Sequence, residues 1–229
     1  MTSSLELIEF TTGGDPDARP VASIVVLHGL GADGRDFVPV AQAMDLSPVG
    51  PVRFVFPSAP VQPVTINGGY EMRAWYDIFP PGPDGSRRED ETGLRASLAI
   101  VQQLIDREVA RGVPADRVVL MGFSQGCAMT LLAGLRTPQR LAGLVALSGY
   151  LPLAGATAAK VSEASRGVPV FMAHGEFDDI VVPARGEAAR EALKALGYPV
   201  QWVRYPMGHE VCMDEIADLN VWLVQRLGG

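Results

Sequence analysis

The sequence places a serine between two glycines, at a point where a strand is expected to turn directly into a helix. The segment Gly122-Phe123-Ser124-Gln125-Gly126 follows an apolar run at 117–121 and precedes a helix-compatible run at 127–133. A serine at such a turn has a strained backbone that exposes its hydroxyl, and the flanking glycines let strand and helix approach closely. Ser124 is therefore the candidate nucleophile, although a serine here could also serve only to cap the helix.

A serine hydroxyl needs a base that takes its proton, and histidine is the usual base because its pKa is about 6.5. The chain has three histidines, His28, His174 and His209. In hydrolases with this kind of serine turn the chain order is serine, acid, histidine. Only His209 follows both Ser124 and a later acidic loop, so it is the candidate base.

The acid is expected in the loop after a predicted strand at 168–173, where Asp178 and Asp179 are adjacent. A carboxylate in this role orients the imidazole and stabilises the imidazolium ion. Spacing does not decide between the two residues, and either could instead interact with the N-terminus of the following helix.

The oxyanion of an acyl-transfer intermediate needs backbone donors. They are expected from the residue after the nucleophile and from the loop after an earlier strand. Here these are the N–H groups of Gln125 and Leu30. Leu30 lies in the segment 28–34, whose three glycines allow the backbone to approach a ligand.

Long apolar runs that alternate with helical patterns indicate the elements that carry these residues. Strands are predicted at 22–27, 52–56, 117–121, 141–147, 168–173 and 200–205, with an edge strand at 5–10 and a turn at 13–16. Helices are predicted at 91–111, 184–196 and 210–227, and a further one from Asp33 that buries Phe37. This pattern favours one α/β domain over residues 1–229, a mainly parallel sheet with helices on both faces. Ser124, Asp178 and His209 then share the carboxyl edge of the sheet.

Residues 58–90 show no sustained periodicity and are rich in proline, which predicts a long irregular excursion. Within it, the segment 72–77 is unusually apolar. It could form a wall of the binding cleft or fill the core beneath a loop.

Composition excludes several classes of protein. The chain has 19 Lys and Arg against 26 Asp and Glu, a net charge of −7, and no basic run, which argues against nucleic-acid or anionic-membrane partners. The first residues do not resemble a signal peptide, so a cytoplasmic location is expected. The charge-free stretch 141–159 is interrupted by glycine and proline, so no membrane span is predicted.

No metal or other cofactor is expected. Cys127 and Cys212, both within predicted helices, lack the spacing of a zinc site, and both are interpreted as reduced, with Cys127 packing behind the sheet. His28 and His174 each precede a glycine at a strand end, where a hydrogen-bonded structural role is favoured over metal binding.

Five motifs in order resemble the bacterial carboxylesterase branch of the phospholipase/carboxylesterase family, whose other branch contains the acyl-protein thioesterases. The motifs are LHGLGADGRDF (27–37), PVTINGGYEMRAWYDI (63–78), GFSQGCAM (122–129), HGEFDDIV (174–181) and YPMGHEV (205–211). The resemblance covers almost the whole chain and implies an α/β-hydrolase fold. It also implies a triad of Ser124, Asp178 and His209, with Leu30 and Gln125 as oxyanion donors.

The same resemblance places Met72 and Trp75 beside the substrate. Two positions depart from the family pattern: Arg73 stands where the family often has proline, and Cys127 where it often has glycine. The first change concerns the shape of the loop, and the second concerns packing behind the serine.

The expected activity is hydrolysis of short- to medium-chain carboxylic esters through an acyl-enzyme, with a small-molecule ester as the partner. An acyl-protein thioesterase or lysophospholipase is the alternative, because the same triad serves both and only the pocket decides. A catalytically silent binding module is the alternative from another class. A homodimer is left open.

Overall fold

A seven-stranded, almost entirely parallel sheet forms the centre of the computed structural model, which describes residues 5–12 and 18–228. The turn expected at 13–16 lies outside the described residues. The strand order is β1-β3-β2-β6-β7-β8-β9, and only the edge pair β1–β3 is antiparallel. The strands are β1 Leu7–Thr11, β2 Ala22–Leu27, β3 Val52–Pro57, β6 Val118–Phe123, β7 Gly143–Leu147, β8 Val170–Gly175 and β9 Val200–Tyr205.

Helices cover both faces of this sheet, as the sequence predicted. They are α1 Val38–Gln42, α2 Glu91–Ala110, α3 Gln125–Gly134, α4 Ala154–Thr157, α5 Pro183–Ala195 and α6 Met213–Leu227. One core packs α2, α3 and α5 against the sheet, and a second packs α1 and α6 against the other face. In β2, Val25 and Leu27 belong to the first core while Ile24 and Val26 belong to the second, which explains the uninterrupted apolar run.

The excursion at 58–90 is more ordered than predicted. It contains a separate hairpin of β4 Val61–Val64 and β5 Tyr70–Arg73. Gly68 and Gly69 have φ of 67° and 80°, values that glycine adopts without strain, and they form the turn. Pro63 is tolerated in β4 because a two-stranded sheet leaves one edge of each strand unpaired. Strand β4 was therefore not predicted from the sequence, because it contains Pro63 and shows no clear periodicity.

Two predicted helix starts were wrong. The carboxylate of Asp33 accepts the backbone N–H of Arg35 (2.8 Å), forming a local turn, and α1 begins only at Val38. The last helix begins at Met213 rather than at 210, so Cys212 precedes it instead of lying inside it. Among the residues that the structure describes, no helix is long and apolar enough to cross a membrane.

Helix α6 buries an acidic side chain in its first turn. Glu215 is fully buried. Burial raises the pKa of its carboxyl from an ordinary value near 4.5 to about 8, while the backbone N–H of Cys212 acts in the opposite direction. The folded protein therefore holds a proton on Glu215 that the unfolded chain loses above about pH 4.5.

This bound proton predicts a pH-dependent stability. Between about pH 4.5 and 8 the folded state binds more protons than the unfolded state, so Glu215 makes the free energy of unfolding fall as the pH rises, by at most about 1.4 kcal/mol per pH unit. The variant Glu215→Gln removes this contribution. Urea denaturation at pH 5, 7 and 9 should show the variant gaining stability over the wild type as the pH rises.

Glu71→Gln, on the exposed surface of the hairpin, is the matched control and should follow the wild type at every pH. Parallel pH profiles for wild type and Glu215→Gln would contradict a protonated Glu215.

Candidate active site

Ser124 occupies the turn between β6 and α3. Its backbone is strained, with φ 55° and ψ −116°, and its N–H donates to the carbonyl of Leu147 in the neighbouring strand (2.9 Å). A Cβ at Gly122 would overlap the carbonyl of Gly126, and a Cβ at Gly126 would overlap that of Leu27. Both glycines are therefore required where strand and helix approach each other.

A continuous hydrogen-bonded chain links Ser124 to a histidine and a carboxylate. The Nε2 atom of His209 lies 2.8 Å from Oγ of Ser124, and its Nδ1 lies 2.7 Å from Oδ2 of Asp178. Asp178 is 3% exposed, and its Oδ1 accepts the backbone N–H groups of Ile180 (3.0 Å) and Val181 (2.8 Å). This arrangement can remove a proton from the serine and stabilise the imidazolium ion that results.

The structure joins Asp178, and not Asp179, to His209. The side chain of Asp179 is exposed. The loop is further held by His174, whose Nε2–H donates to the carbonyl of Val181 (2.6 Å) and lies 3.3 Å from Oδ2 of Asp178. The ring of His209 packs against that of Phe123 at a centroid distance of 4.8 Å, which fixes the imidazole from the side of the sheet.

Leu30 and Gln125 lie at the same cavity as Ser124. Within residues 5–12 and 18–228, neither backbone N–H has a hydrogen-bond acceptor in the protein. The neighbouring Gly31 N–H donates to the carbonyl of Arg73 (2.9 Å), which anchors the loop that carries Leu30. Two free donors beside the serine hydroxyl are what an oxyanion requires.

The side chain of Gln125 has a role that sequence reasoning missed. It is 2% exposed; its Oε1 accepts the N–H of Trp75 (2.7 Å) and its Nε2 donates to the carbonyl of Tyr76 (2.8 Å). One amide thus holds the backbone of the segment after β5 against the serine turn. Its partners are backbone groups about fifty positions away in the chain, so no side-chain pattern could have indicated the contact.

Trp75 is buried beneath the site. It is 1% exposed, its Nε1–H donates to the carbonyl of His28 (3.0 Å), and its own carbonyl accepts the hydroxyl of Ser97. Within the described chain it is not among the residues that line the cavity. The indole thus joins the segment at 74–77 to the segment 28–34, which we name the oxyanion loop after its proposed role. The contact of Trp75 with substrate, expected from the resemblance, stays a prediction.

Met72 does not line the cavity either, as far as the chain is described. Its Sδ accepts a hydrogen bond from the side chain of Asn67 (3.3 Å), and it lies close to Gly31 of the oxyanion loop. Its contact with substrate stays a prediction.

His28 and Cys127 take no part in the hydrogen-bonded chain. Because Nε2 of His28 accepts the N–H of Ala59 (2.9 Å), its Nδ1–H must donate to the carbonyl of Gly29 (2.6 Å); burial lowers the pKa of this imidazole, which keeps it neutral. Burial raises the pKa of the Cys127 thiol, so it is not a nucleophile near neutral pH. No cluster of metal-ligating side chains occurs among the described residues.

The cavity over Ser124 has a volume of about 410 Å³. Its wall is largely apolar and includes residues from the oxyanion loop, the hairpin, the segment before α2 and the loop after β8. These residues are Leu30, Ile66, Asn67, Tyr76, Asp77, Ile78, Phe79, Arg87, Arg88, Glu89, Ser124, Gln125, Tyr150, Asp179, Ile180, Val181 and Arg185. Such a wall accepts a hydrocarbon chain.

The buried amide of Gln125 leads to a stability prediction. In Gln125→Leu the Trp75 N–H and the Tyr76 carbonyl lose their partner in a dry environment, which should lower the free energy of unfolding by about 2 kcal/mol or more. Urea denaturation checks this value. Gln201→Leu, at an exposed position of β9, is the matched control and should change stability by less than about 0.5 kcal/mol. Equal effects of the two substitutions would show that the hydrogen bonds of the Gln125 amide do not stabilise the fold.

Comparisons with known proteins identify the family of the chain. The family described as Phospholipase/Carboxylesterase matches residues 14–225. A protein of Neurospora crassa named acyl-protein thioesterase 1 is 42% identical over 219 residues, which cover 92% of this chain and 89% of that protein. A protein of the same name from Gibberella zeae is 38% identical over 222 residues, covering 92% of each chain.

Solved structures show the same fold. The crystal structure of Arabidopsis thaliana SOBER1 has a TM-score of 0.84 at 33% identity and covers 90% of this chain and 99% of its own. That of Zea mays acyl-protein thioesterase 2 has a TM-score of 0.82 at 28% identity, covering 96% and 99%.

The resemblance to a bacterial carboxylesterase branch is not supported, because these curated relatives are fungal proteins with a thioesterase name. The family itself is confirmed by the match over most of the chain. The chain has the α/β-hydrolase fold and belongs to the phospholipase/carboxylesterase family.

Proposed function

We propose that this protein hydrolyses acyl thioesters of proteins through an acyl-enzyme formed on Ser124. The observation that carries the proposal is the hydrogen-bonded chain from Ser124 through His209 to Asp178. The choice of a thioester rests on the relatives named acyl-protein thioesterase 1, at up to 42% identity. It replaces the short-chain ester expected first from the sequence, and hydrolysis of simple esters becomes a side activity of the same site.

Each step follows from the positions of the side chains. Oγ of Ser124 attacks the acyl carbon while Nε2 of His209 takes its proton, and Asp178 holds the Nδ1–H of the imidazolium. The oxyanion accepts the N–H groups of Leu30 and Gln125. The thiolate leaves with the proton from His209. Water then attacks the acyl-enzyme while His209 takes its proton, and His209 returns that proton to Oγ of Ser124 as the free acid is released. No cofactor is needed for these steps.

The apolar wall suits the acyl chain. Ile66, Ile78 and Ile180 line the cavity beside the serine, and burying each methylene group of a chain contributes about 0.8 kcal/mol. A cytoplasmic location, the lack of nucleic-acid and integral-membrane association and the homodimer left open stay predictions from the sequence.

Ser124→Ala tests the nucleophile. The variant should lose at least about 10³-fold in kcat toward an S-acylated peptide and toward a short-chain aryl ester, because the residue forms the acyl-enzyme. It should also lose labelling by a serine-directed phosphonate, which wild type should show at Ser124. Equal rates in the two proteins would contradict the proposal, and a wild type without adduct would favour the binding module.

Asp178→Asn tests the acid. An amide cannot keep the imidazole in the required tautomer, so kcat should fall by roughly 10⁴-fold, the scale known from the serine-protease triad. The neighbouring variant Asp179→Asn is the matched comparison and should stay within about ten-fold of wild type, since its carboxylate does not contact His209. A larger loss from Asp179→Asn than from Asp178→Asn would overturn the assignment.

A further inference from the structure

Three arginines line the otherwise largely apolar cavity above Ser124. They are Arg87, Arg88 and Arg185. In the described part of the chain, none of them is within ion-pair distance of a carboxylate, whereas the arginines of β3, α2 and β9 are paired. Arg87 and Arg88 are exposed and Arg185 is half-buried, so their guanidinium groups stay in contact with solvent and can accept an anionic group that enters the cavity.

Two of these guanidinium groups lie over aromatic rings that also line the cavity. The guanidinium carbon of Arg185 is 3.4 Å from the ring centroid of Tyr150, and that of Arg88 is 3.7 Å from the ring centroid of Phe79. At these separations the charge lies on the face of the ring, and the N–H groups at the edge of the guanidinium stay free to donate. Ring stacking thus holds the donors in place before a ligand arrives.

The ring beneath Arg185 is itself fixed. The hydroxyl of Tyr150 is 2.7 Å from that of Tyr76, whose side chain is buried. Tyr76 is in turn held through its carbonyl by the amide of Gln125, next to the nucleophile (2.8 Å). Arg185 is therefore connected to the serine turn through three ordered side chains.

Three carboxylates also line the cavity, and two of them accept hydrogen bonds from other residues of the protein. The oxygens of Asp77 accept the N–H and hydroxyl of Thr65, and both oxygens of Glu89 lie within hydrogen-bond distance of the N–H of Leu153. Glu89 and Asp179 are exposed, and Asp77 is half-buried. The free polar groups at the wall are thus mainly the N–H groups of the arginines.

We propose that Arg185 and Arg88 bind an anionic oxygen group, a carboxylate or a phosphate, that the substrate carries apart from the scissile bond. The planar fork of arginine matches both groups through two parallel N–H···O bonds. The two arginines determine substrate specificity and do not take part in bond cleavage. This inference rests on the proposed function, because it concerns the substrate of the same serine.

Two pairs of substrates separate the sources of the negative charge. On the acyl side, the p-nitrophenyl half ester of glutaric acid is compared with p-nitrophenyl 5-methylhexanoate, which replaces the carboxylate by an isopropyl group. On the leaving-group side, 1-butyrylglycerol 3-phosphate is compared with 1-butyrylglycerol. The kcat/KM of wild type should favour the anionic member of at least one pair by about ten-fold, the scale of one charge-assisted hydrogen bond.

The variants Arg185→Gln and Arg88→Gln should each bring the ratio of kcat/KM for the anionic and the neutral substrate close to one, through a rise in KM for the anionic substrate. The control is Arg190→Gln on the same helix as Arg185. Arg190 pairs with Glu191, and its guanidinium carbon lies 5.3 Å from the ring centroid of Trp202. Among the described residues it does not line the cavity, so Arg190→Gln should keep the preference for the anionic substrate.

The inference is overturned if neither anionic substrate is preferred by wild type, or if Arg185→Gln and Arg88→Gln slow the neutral substrates as much as the anionic ones. In both cases hydrolysis of neutral esters that depends on Ser124 leaves the proposed function standing. A wild type that hydrolyses no ester and no thioester overturns the proposed function, and the inference with it.

Discussion

The strained turn at Ser124 is the constraint on which the rest of the site depends. A positive φ at a serine costs about 1–3 kcal/mol and persists only where surrounding contacts enforce it. Here they are the hydrogen bond from the Ser124 N–H to Leu147 and the close approach of strand and helix at Gly122 and Gly126. The turn directs the hydroxyl to His209 and places Gln125 at the same cavity, so the proposed nucleophile and one proposed oxyanion donor are positioned by the same turn.

A second layer of contacts beneath the serine joins three segments that are distant in the chain. Gln125 holds the backbone at Trp75 and Tyr76, the indole of Trp75 holds the carbonyl of His28, and the imidazole of His28 holds the N–H of Ala59. The oxyanion loop, the hairpin segment and the nucleophile turn thus form one hydrogen-bonded unit. Because its polar groups are buried and paired, this unit is rigid, and its rigidity preserves the geometry that an oxyanion site requires.

Much of this arrangement could be predicted from the sequence. Strand β2 agrees with its predicted bounds, because a continuous apolar run is typical of a parallel strand with two covered faces. Strand β9 also agrees, although it is a partly exposed edge strand that contains Gln201 and Arg204. The serine turn and the order of acid and histidine follow from the same logic, and chain order singled out His209. Asp178 could not be separated from Asp179 by spacing, since only the folded loop shows which carboxylate receives the Ile180 and Val181 N–H groups.

Long-range contacts between side chains and backbone could not be predicted from the sequence. Spacing left open whether Trp75 forms a cleft wall or fills the core, because the His28 carbonyl that accepts its indole N–H is 47 positions away in the chain. The hairpin at 61–73 was not predicted because Pro63 is unusual in a strand. The start of α1 was predicted too early because Asp33 resembles a helix cap but forms a local turn. The position of Trp75 depends on a distant carbonyl, whereas Asp33 accepts a backbone N–H only two residues away, and only the folded backbone distinguishes this local turn from a helix cap.

The proposed function depends on an acyl-enzyme at Ser124, which can be trapped and detected. Wild-type protein mixed with an S-palmitoylated peptide, quenched in acid within the first turnover and digested, is analysed by mass spectrometry. We expect a palmitoyl group on the peptide that contains Ser124. Hydrolysis of the thioester with Ser124 unmodified at every quench time, or with the acyl group on another residue, would contradict it.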